Sequence, residues 1–253
     1  MSTCLSFGAG VQTHALLVLI AQGVWPRPDA IVFADPGNEQ DATYSYLEKY
    51  TAPYALNHGL EIKVLGPEWR TGHYAADLET YCRQHRMVPG TCVRWCTDRY
   101  KVKPILRYLK QVMGATKDAP VESWIGISTD ESRRLKTSRP GLQTLRYPLV
   151  ELGLSRADCE GIIVAAQLPV PPKSGCWFCP FQPQAKWQQM KRVDPEKFER
   201  ALFMEKNARG KDGSSKYLPI FGSLDRVAMQ DGLPGFDEAI EAEGGCVSGS
   251  CFV

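Results

Sequence analysis

No stretch of this 253-residue chain is apolar for long enough to cross a bilayer, and its charge is nearly balanced, with 30 basic against 28 acidic residues. The most apolar run, residues 15–21, falls far short of the ~20 residues that a spanning helix requires, so it reads as a buried helix. No basic region precedes that run, so no signal peptide is expected. The reading is a cytoplasmic protein with no membrane partner. Internal repeats and low-complexity tracts are absent. Histidine is scarce, at four residues, and His14, His58, His73 and His85 form no ligand-like pair. Each reads as a surface or packing side chain. A net charge of +2 neither demands nor excludes nucleic acid.

Hydrophobic residues make up 43% of the chain and charged residues 23%, as in an ordinary globular protein. The length suffices for one large domain, or one domain and an appendage. Cysteine is plentiful by contrast, with nine residues. In a cytosolic chain these read as ligands, catalytic thiols or small buried hydrophobes rather than disulfides. Two close pairs stand out, Cys92 with Cys96 and Cys176 with Cys179. Four thiolates can complete a zinc site or hold an iron–sulfur cluster, and the spacing does not choose between them. Cys159 or a tail cysteine is an alternative to Cys92 as fourth ligand. Cys4, in a strand, and Cys82, on a helix, read as small buried hydrophobes.

Strand-like and helix-like patterns alternate. Residues 3–7, 30–34, 61–65 and 122–128 read as strands. Helices are expected over 13–22, 42–58, 75–85 and 97–113. Such alternation implies a parallel sheet flanked by helices, a Rossmann-like α/β architecture. Beyond Tyr147 the pattern becomes helix and loop. Ser155 with Asp158 reads as a capping box, and Asp194-Pro195 opens another helix. Prolines on both sides of Cys176 and Cys179 should stiffen their loop. The last eleven residues, rich in glycine, read as a mobile arm.

The first strand runs into the turn Ser6-Phe7-Gly8-Ala9-Gly10-Val11-Gln12-Thr13 and then into the apolar helix, a geometry that turns backbone N–H groups toward phosphate. It lacks the three spaced glycines of a dinucleotide fingerprint, and no Gly-Lys-Ser or Gly-Lys-Thr makes it a Walker loop. The second strand ends in Asp35-Pro36-Gly37-Asn38-Glu39, beyond a strand's carboxyl end, where open α/β sheets bind ligands. Asp35 and Glu39 there are candidates for magnesium or a ribose hydroxyl. Basic residues crowd at Arg94, Arg99, Lys101, Lys103, Arg107 and Lys110, and again at Arg133, Arg134, Lys136 and Arg139, able to meet phosphates.

In order along the chain, these segments resemble the phosphoadenosine phosphosulfate (PAPS) reductase-like branch of the adenine nucleotide alpha-hydrolase (PP-loop) superfamily. The Ser6–Thr13 turn is similar to a modified PP-loop. Asp35 to Glu39, followed by Thr43-Tyr44, resembles the Asp-Thr-Gly…Glu-Thr-Tyr signature. Gly126-Ile127-Ser128-Thr129-Asp130-Glu131-Ser132 with Arg134 resembles Gly-Ile-Arg-x-Asp-Glu-Ser…Arg. Cys96-Thr97, Tyr100-Lys101 and Pro104 resemble the cysteine segment of cluster-containing members, with Cys176 and Cys179 as their second pair. Gln12 stands where ATP-pyrophosphatase members carry aspartate, Pro36 where the family has threonine, and the ending from Gly245 is only loosely like a reductase tail.

The resemblance implies an α/β domain over residues 1–150 and a mainly helical part over 151–253 that ends in a mobile arm with cysteines. It implies nucleotide contacts from Ser6, Phe7, Gly8, Ala9, Gly10, Gln12, Thr13, Asp35, Gly37, Glu39, Lys101, Gly126 and Arg134. Asp130, Glu131, Cys246 and Cys251 are the implied catalytic residues, and Cys92, Cys96, Cys176 and Cys179 would bind a 4Fe–4S cluster or zinc. The first expectation is thiol-dependent reduction of an adenylyl sulfate, APS or PAPS, to sulfite, with a thioredoxin-like reductant. The second is ATP- and Mg²⁺-dependent adenylation and thiolation of tRNA or DNA. A third is a nucleotide- or metal-binding interaction protein without catalysis.

Overall fold

A computed structural model of the chain describes residues 1–90, 94–138, 141–208, 216–219 and 222–229. Among these, five strands form one parallel sheet in the order β3-β2-β1-β4-β5, with β1 at Thr3–Ser6, β2 at Ala30–Ala34, β3 at Ile62–Leu65, β4 at Val121–Ile125 and β5 at Gln143–Arg146. The register sets Leu5 beside Ile31 and Trp124. Four of these strands follow the expected pattern. The fifth, Gln-Thr-Leu-Arg, is short and half-buried throughout, so its residues carry no apolar signal.

Alternate residues of the strands face opposite ways. On one face Leu5, Ile31, Phe33 and Trp124 pack against α1, Val11–Ala21. On the other, Cys4, Val32, Leu65 and Val121 share a cluster with Leu109. Both faces are covered, which accounts for the continuous apolar run of β2, AIVFA. Every residue from Val11 to Ile20 is buried, because α1 lies between the sheet and α8, whose Cys159 and Ile163 complete that core.

After β2 the chain forms α2 at Asp41–Tyr46, a π-helical turn over Leu47–Thr51, and α3 at Ala52–Asn57. After β3 comes α4, Leu78–Gln84, capped by the Asp77 side chain. Next, α5 at Trp95–Thr97 passes through a second π turn, Asp98–Val102, into α6 at Lys103–Gln111. A short α7, Pro148–Glu151, precedes α8 at Arg156–Ala165, which opens with the expected capping box of Ser155 and Asp158. Then follow α9 at Gln184–Val193, α10 at Pro195–Asn207, capped by Asp194, and α11 at Leu224–Met229. A further core joins α4 to this carboxy-terminal part, with Leu78 and Tyr81 packed among Trp177, Phe178, Trp187 and Phe198.

Candidate functional site

The order β3-β2-β1-β4-β5 reverses direction between β1 and β4, and in open α/β sheets the crevice beyond the carboxyl ends at such a reversal is where ligands bind. A cavity of about 340 Å³ lies there. Its floor is the turn after β1, with Ser6, Phe7, Gly8, Gly10, Gln12 and Thr13 all lining it. Gly126, Asp130, Glu131 and Arg134 come from the β4 turn, and Lys101 from the π turn before α6. Thus the expected nucleotide contacts converge, except for Ala9, Asp35, Gly37 and Glu39, which do not line the cavity.

Local sequence explains this approach. A Cβ at Gly126 would stand 2.5 Å from Thr13 Cγ2 and 3.1 Å from the Thr13 nitrogen, so only glycine lets the β4 turn lie against the start of α1. Ala9 adopts a left-handed φ of 56°, unusual for a residue with a Cβ. The chain bends there, at Ala9 and Gly10, before entering α1. No side chain caps α1, so its first amides and the positive end of its dipole are available to an anion. Thr13 Oγ1 instead donates to the Gly10 carbonyl at 3.1 Å and accepts from the Gly8 amide at 3.3 Å, stiffening the turn.

His14 adds a buried brace. Its Nδ1 lies 2.9 Å from the Gly10 carbonyl and its Nε2 2.7 Å from Thr51 Oγ1. A carbonyl only accepts, so Nδ1 carries the proton and the Thr51 hydroxyl donates to Nε2. Burial lowers its pKa from 6.5 to about 4, the Gly10 hydrogen bond opposing it, so the ring is neutral at physiological pH.

Charge in the cavity is arranged in pairs. Gln12 Nε2 donates to Glu131 Oε2 at 3.0 Å, and Arg134 Nη1 donates to the same oxygen at 2.7 Å. Asp130 Oδ1 accepts the Arg156 amide at 3.0 Å, at the start of α8. The Arg134 side chain is only 9% exposed, and its Nε and Nη2 have no hydrogen-bond partner among the described residues. A buried guanidinium in a cavity wall thus keeps two donors that could serve an anionic acceptor. Lys173, Ser174 and Arg156 add further polar groups to the lining. These three carry no motif, and no local pattern in the sequence marks them; only the fold of α8 and the strap before Cys176 brings them here.

Asp35 and Gly37 lie in one tightly hydrogen-bonded turn. Asp35 Oδ1 accepts from the Gly37 amide at 2.8 Å and from the Tyr44 hydroxyl at 2.6 Å, while that hydroxyl accepts the Glu39 amide at 3.1 Å. Burial, then the Asp35 carboxylate, holds the Tyr44 hydroxyl protonated. Gly37 has φ 80°, and a Cβ there would meet Asp77 Cβ at 2.9 Å. Glu39 is fully buried, paired with Lys101 Nζ at 2.8 Å and accepting the Gly175 amide at 2.6 Å.

Cys96 and Cys176 sit in one aromatic core together with Cys82. Burial raises the Cys176 pKa well above its ordinary range, Glu39, Cys179 and Cys96 push it further, and Lys101 opposes them. Burial likewise raises Cys96, against Arg94 and Lys101. Thus Cys96, Cys176 and Cys179 share one neighbourhood. Among the described residues, however, no group of three or more His, Cys, Asp or Glu side chains is placed to hold a metal ion. Cys92, Cys246, Cys251 and Arg139 lie outside the described residues. Cys4 and Cys159, each pushed up to about 12 by burial, are inert core thiols, and Cys82 is raised by burial in the same way.

No helix among the described residues is long and apolar enough to cross a membrane. No family model matches the chain, and no curated protein does. Among solved structures, the chain is similar to phosphoadenylyl-sulfate (PAPS) reductase from Candida auris in its phosphate complex, at 16% identity and a TM-score of 0.48, over 70% of this chain and 82% of that one.

Proposed function

We propose that the cavity binds an adenine nucleotide by its anionic groups and that the chain performs PAPS reductase-type sulfur chemistry on it. The observation that carries this reading is Arg134, nine-tenths buried in the cavity wall with Nε and Nη2 unsatisfied among the described residues, near the uncapped start of α1. A phosphate or sulfate at this place receives guanidinium donors, helix amides and the field of Lys173. The apolar side chains of Phe7, Ile105, Ile125 and Leu145 offer walls for a purine.

The reaction we assign is reduction of an adenylyl sulfate. A thiolate attacks the sulfur, the bond between that sulfur and the bridging phosphate oxygen breaks, and the nucleotide leaves with its phosphate intact. The enzyme is left as a cysteine thiosulfonate. A dithiol partner of the thioredoxin class then attacks the cysteine sulfur, releasing sulfite and taking the two oxidising equivalents as a disulfide. Cys246 and Cys251 are the proposed nucleophiles. Cys96, Cys176 and Cys179, with Cys92, are the residues we assign to an iron–sulfur or zinc centre. Iron, zinc and sulfide analysis of anaerobically isolated protein tests that assignment.

Three hydrogen bonds support this reading over magnesium–ATP chemistry. Glu131 is already engaged by Gln12 and Arg134, and Asp130 by the Arg156 amide, so both carboxylates spend acceptor capacity on protein donors. The test is sulfite release from PAPS or APS in the presence of a reduced dithiol. AMP and pyrophosphate formed from magnesium–ATP with tRNA or DNA would instead establish the thiolation reading.

A further inference from the structure

Residues 173–177 form a strap between the cavity and the cysteine pair. Lys173 and Ser174 face the cavity at one end. Ser174 lies against the nucleotide turn, so close that a Cβ at Gly10 would stand 3.2 Å from its Oγ. At the other end Cys176 makes an isolated antiparallel bridge with Glu39. The Trp177 amide donates to the Asn38 carbonyl at 3.0 Å, and the Gln40 amide to the Gly175 carbonyl at 3.0 Å.

The polar centre of this junction is Glu39. One carboxylate oxygen takes the Gly175 amide at 2.6 Å, the other takes Lys101 Nζ at 2.8 Å, and its side chain is wholly buried while Lys101 retains 16% exposure. Lys101 itself lines the cavity. A single buried carboxylate therefore joins a cavity cation to the backbone that carries Lys173, Ser174 and Cys176. Hydrogen bonds to a buried charge are strong, and a neutral amide in place of the carboxylate loses that charge assistance toward both the Gly175 amide and Lys101.

We propose that Glu39 is a positioning residue: it contacts no ligand, but docks the 173–177 strap so that Lys173 and Ser174 close the cavity and Cys176 stays beside it. Filling the cavity with an anion and protecting the strap are then one equilibrium, because a ligand held by Lys173 and Ser174 favours the docked strap. This inference rests on the proposed reading of the cavity as a site for a phosphate-bearing nucleotide.

The test is hydrogen exchange of the peptide spanning 173–177 in the full chain, with and without PAPS, together with PAPS binding. In Glu39→Gln the strap should exchange about tenfold faster, PAPS should bind about tenfold more weakly, and PAPS should no longer slow the exchange as it does in the wild type. Lys173→Ala should weaken PAPS binding yet leave strap exchange in the unliganded protein unchanged. Exchange over residues 162–165 of α8, none of which lines the cavity, is the reference, and a general loosening would accelerate both. The double variant Glu39→Gln/Lys101→Met also removes the cavity cation that Glu39 holds and should still show the fast strap. Equal strap exchange in wild type and Glu39→Gln, or no protection by PAPS that binds, overturns the proposal. Failure of wild type to bind any nucleotide overturns the reading of the cavity and with it the coupling, while the unliganded comparison still decides the docking.

Discussion

Gln12 and Glu131 lie 119 residues apart in sequence and meet at 3.0 Å, the amide nitrogen of one donating to the carboxylate of the other. This contact ties the turn after β1 to the turn after β4 across the ligand crevice. It also gives a physical reason for glutamine at a position where the ATP-pyrophosphatase motif that this turn resembles has aspartate: a carboxylate there would face the Glu131 carboxylate. Gln12→Glu, nearly the same shape, replaces a hydrogen bond by like-charge repulsion. With Arg134 nearby and Glu131 one-quarter exposed, the expected loss is about 1 kcal/mol at neutral pH, read from the urea midpoint. An unchanged midpoint would show that the contact does not hold the two turns together.

The framework was open to sequence reasoning where burial on both sides forces long apolar runs, as in β2 and α1. Caps were legible as well, because Ser155 with Asp158 and Asp194 with Pro195 act through near neighbours. The strand β5 was not, because its four residues are half-buried and alternate without apolar contrast. At the site, Ser6, Gln12, Gly126 and Arg134 were found through ordered motifs, and the fold brings them to one cavity. Glu39 was read as a possible ligand contact from its place beyond a strand end; its burial against Gly175, 136 residues away, depends on tertiary pairing that no local pattern encodes. Lys173, Ser174 and Arg156 are invisible in sequence for the same reason.

Gly126 sets the distance between β4 and α1. Gly126→Ala introduces a methyl group into contact with Thr13 Cγ2 and the Thr13 backbone, and should lower stability by about 1–3 kcal/mol in denaturant unfolding. Because the clash falls on the turn that lines the cavity, ligand binding there should weaken as well. Thr13→Ser in the same chain removes the nearest clashing carbon while keeping the hydroxyl, and should restore part of the stability. No recovery would mean that the backbone contact dominates.

His14 makes the fold sensitive to acid. Its folded pKa, about 4, lies below the unfolded value of 6.5, so between these limits the unfolded chain binds more protons and stability rises with pH. The contribution is complete above about pH 6.5 and is lost as pH falls toward 4, by on the order of 3 kcal/mol. Urea unfolding at pH 7.5, 6, 5 and 4.5 should show this slope, and His14→Gln should flatten it while lowering stability at neutral pH. A slope unaltered by that substitution would assign the acid sensitivity to other groups.

The central claim is that a buried, under-satisfied Arg134 receives a nucleotide anion beside the start of α1. Its most direct test is ligand-dependent thermal stabilisation of anaerobically purified wild type and Arg134→Lys, with PAPS, APS and magnesium–ATP compared. Lysine keeps the charge but loses the planar fork, which should weaken binding by about tenfold or more. At a hundred times the dissociation constant a ligand adds about 2.7 kcal/mol to wild-type stability, a readily visible shift. We predict stabilisation by a sulfonucleotide that is sharply reduced in Arg134→Lys. Stabilisation equal in both proteins, or no response of the wild type to any of the three, would contradict the account.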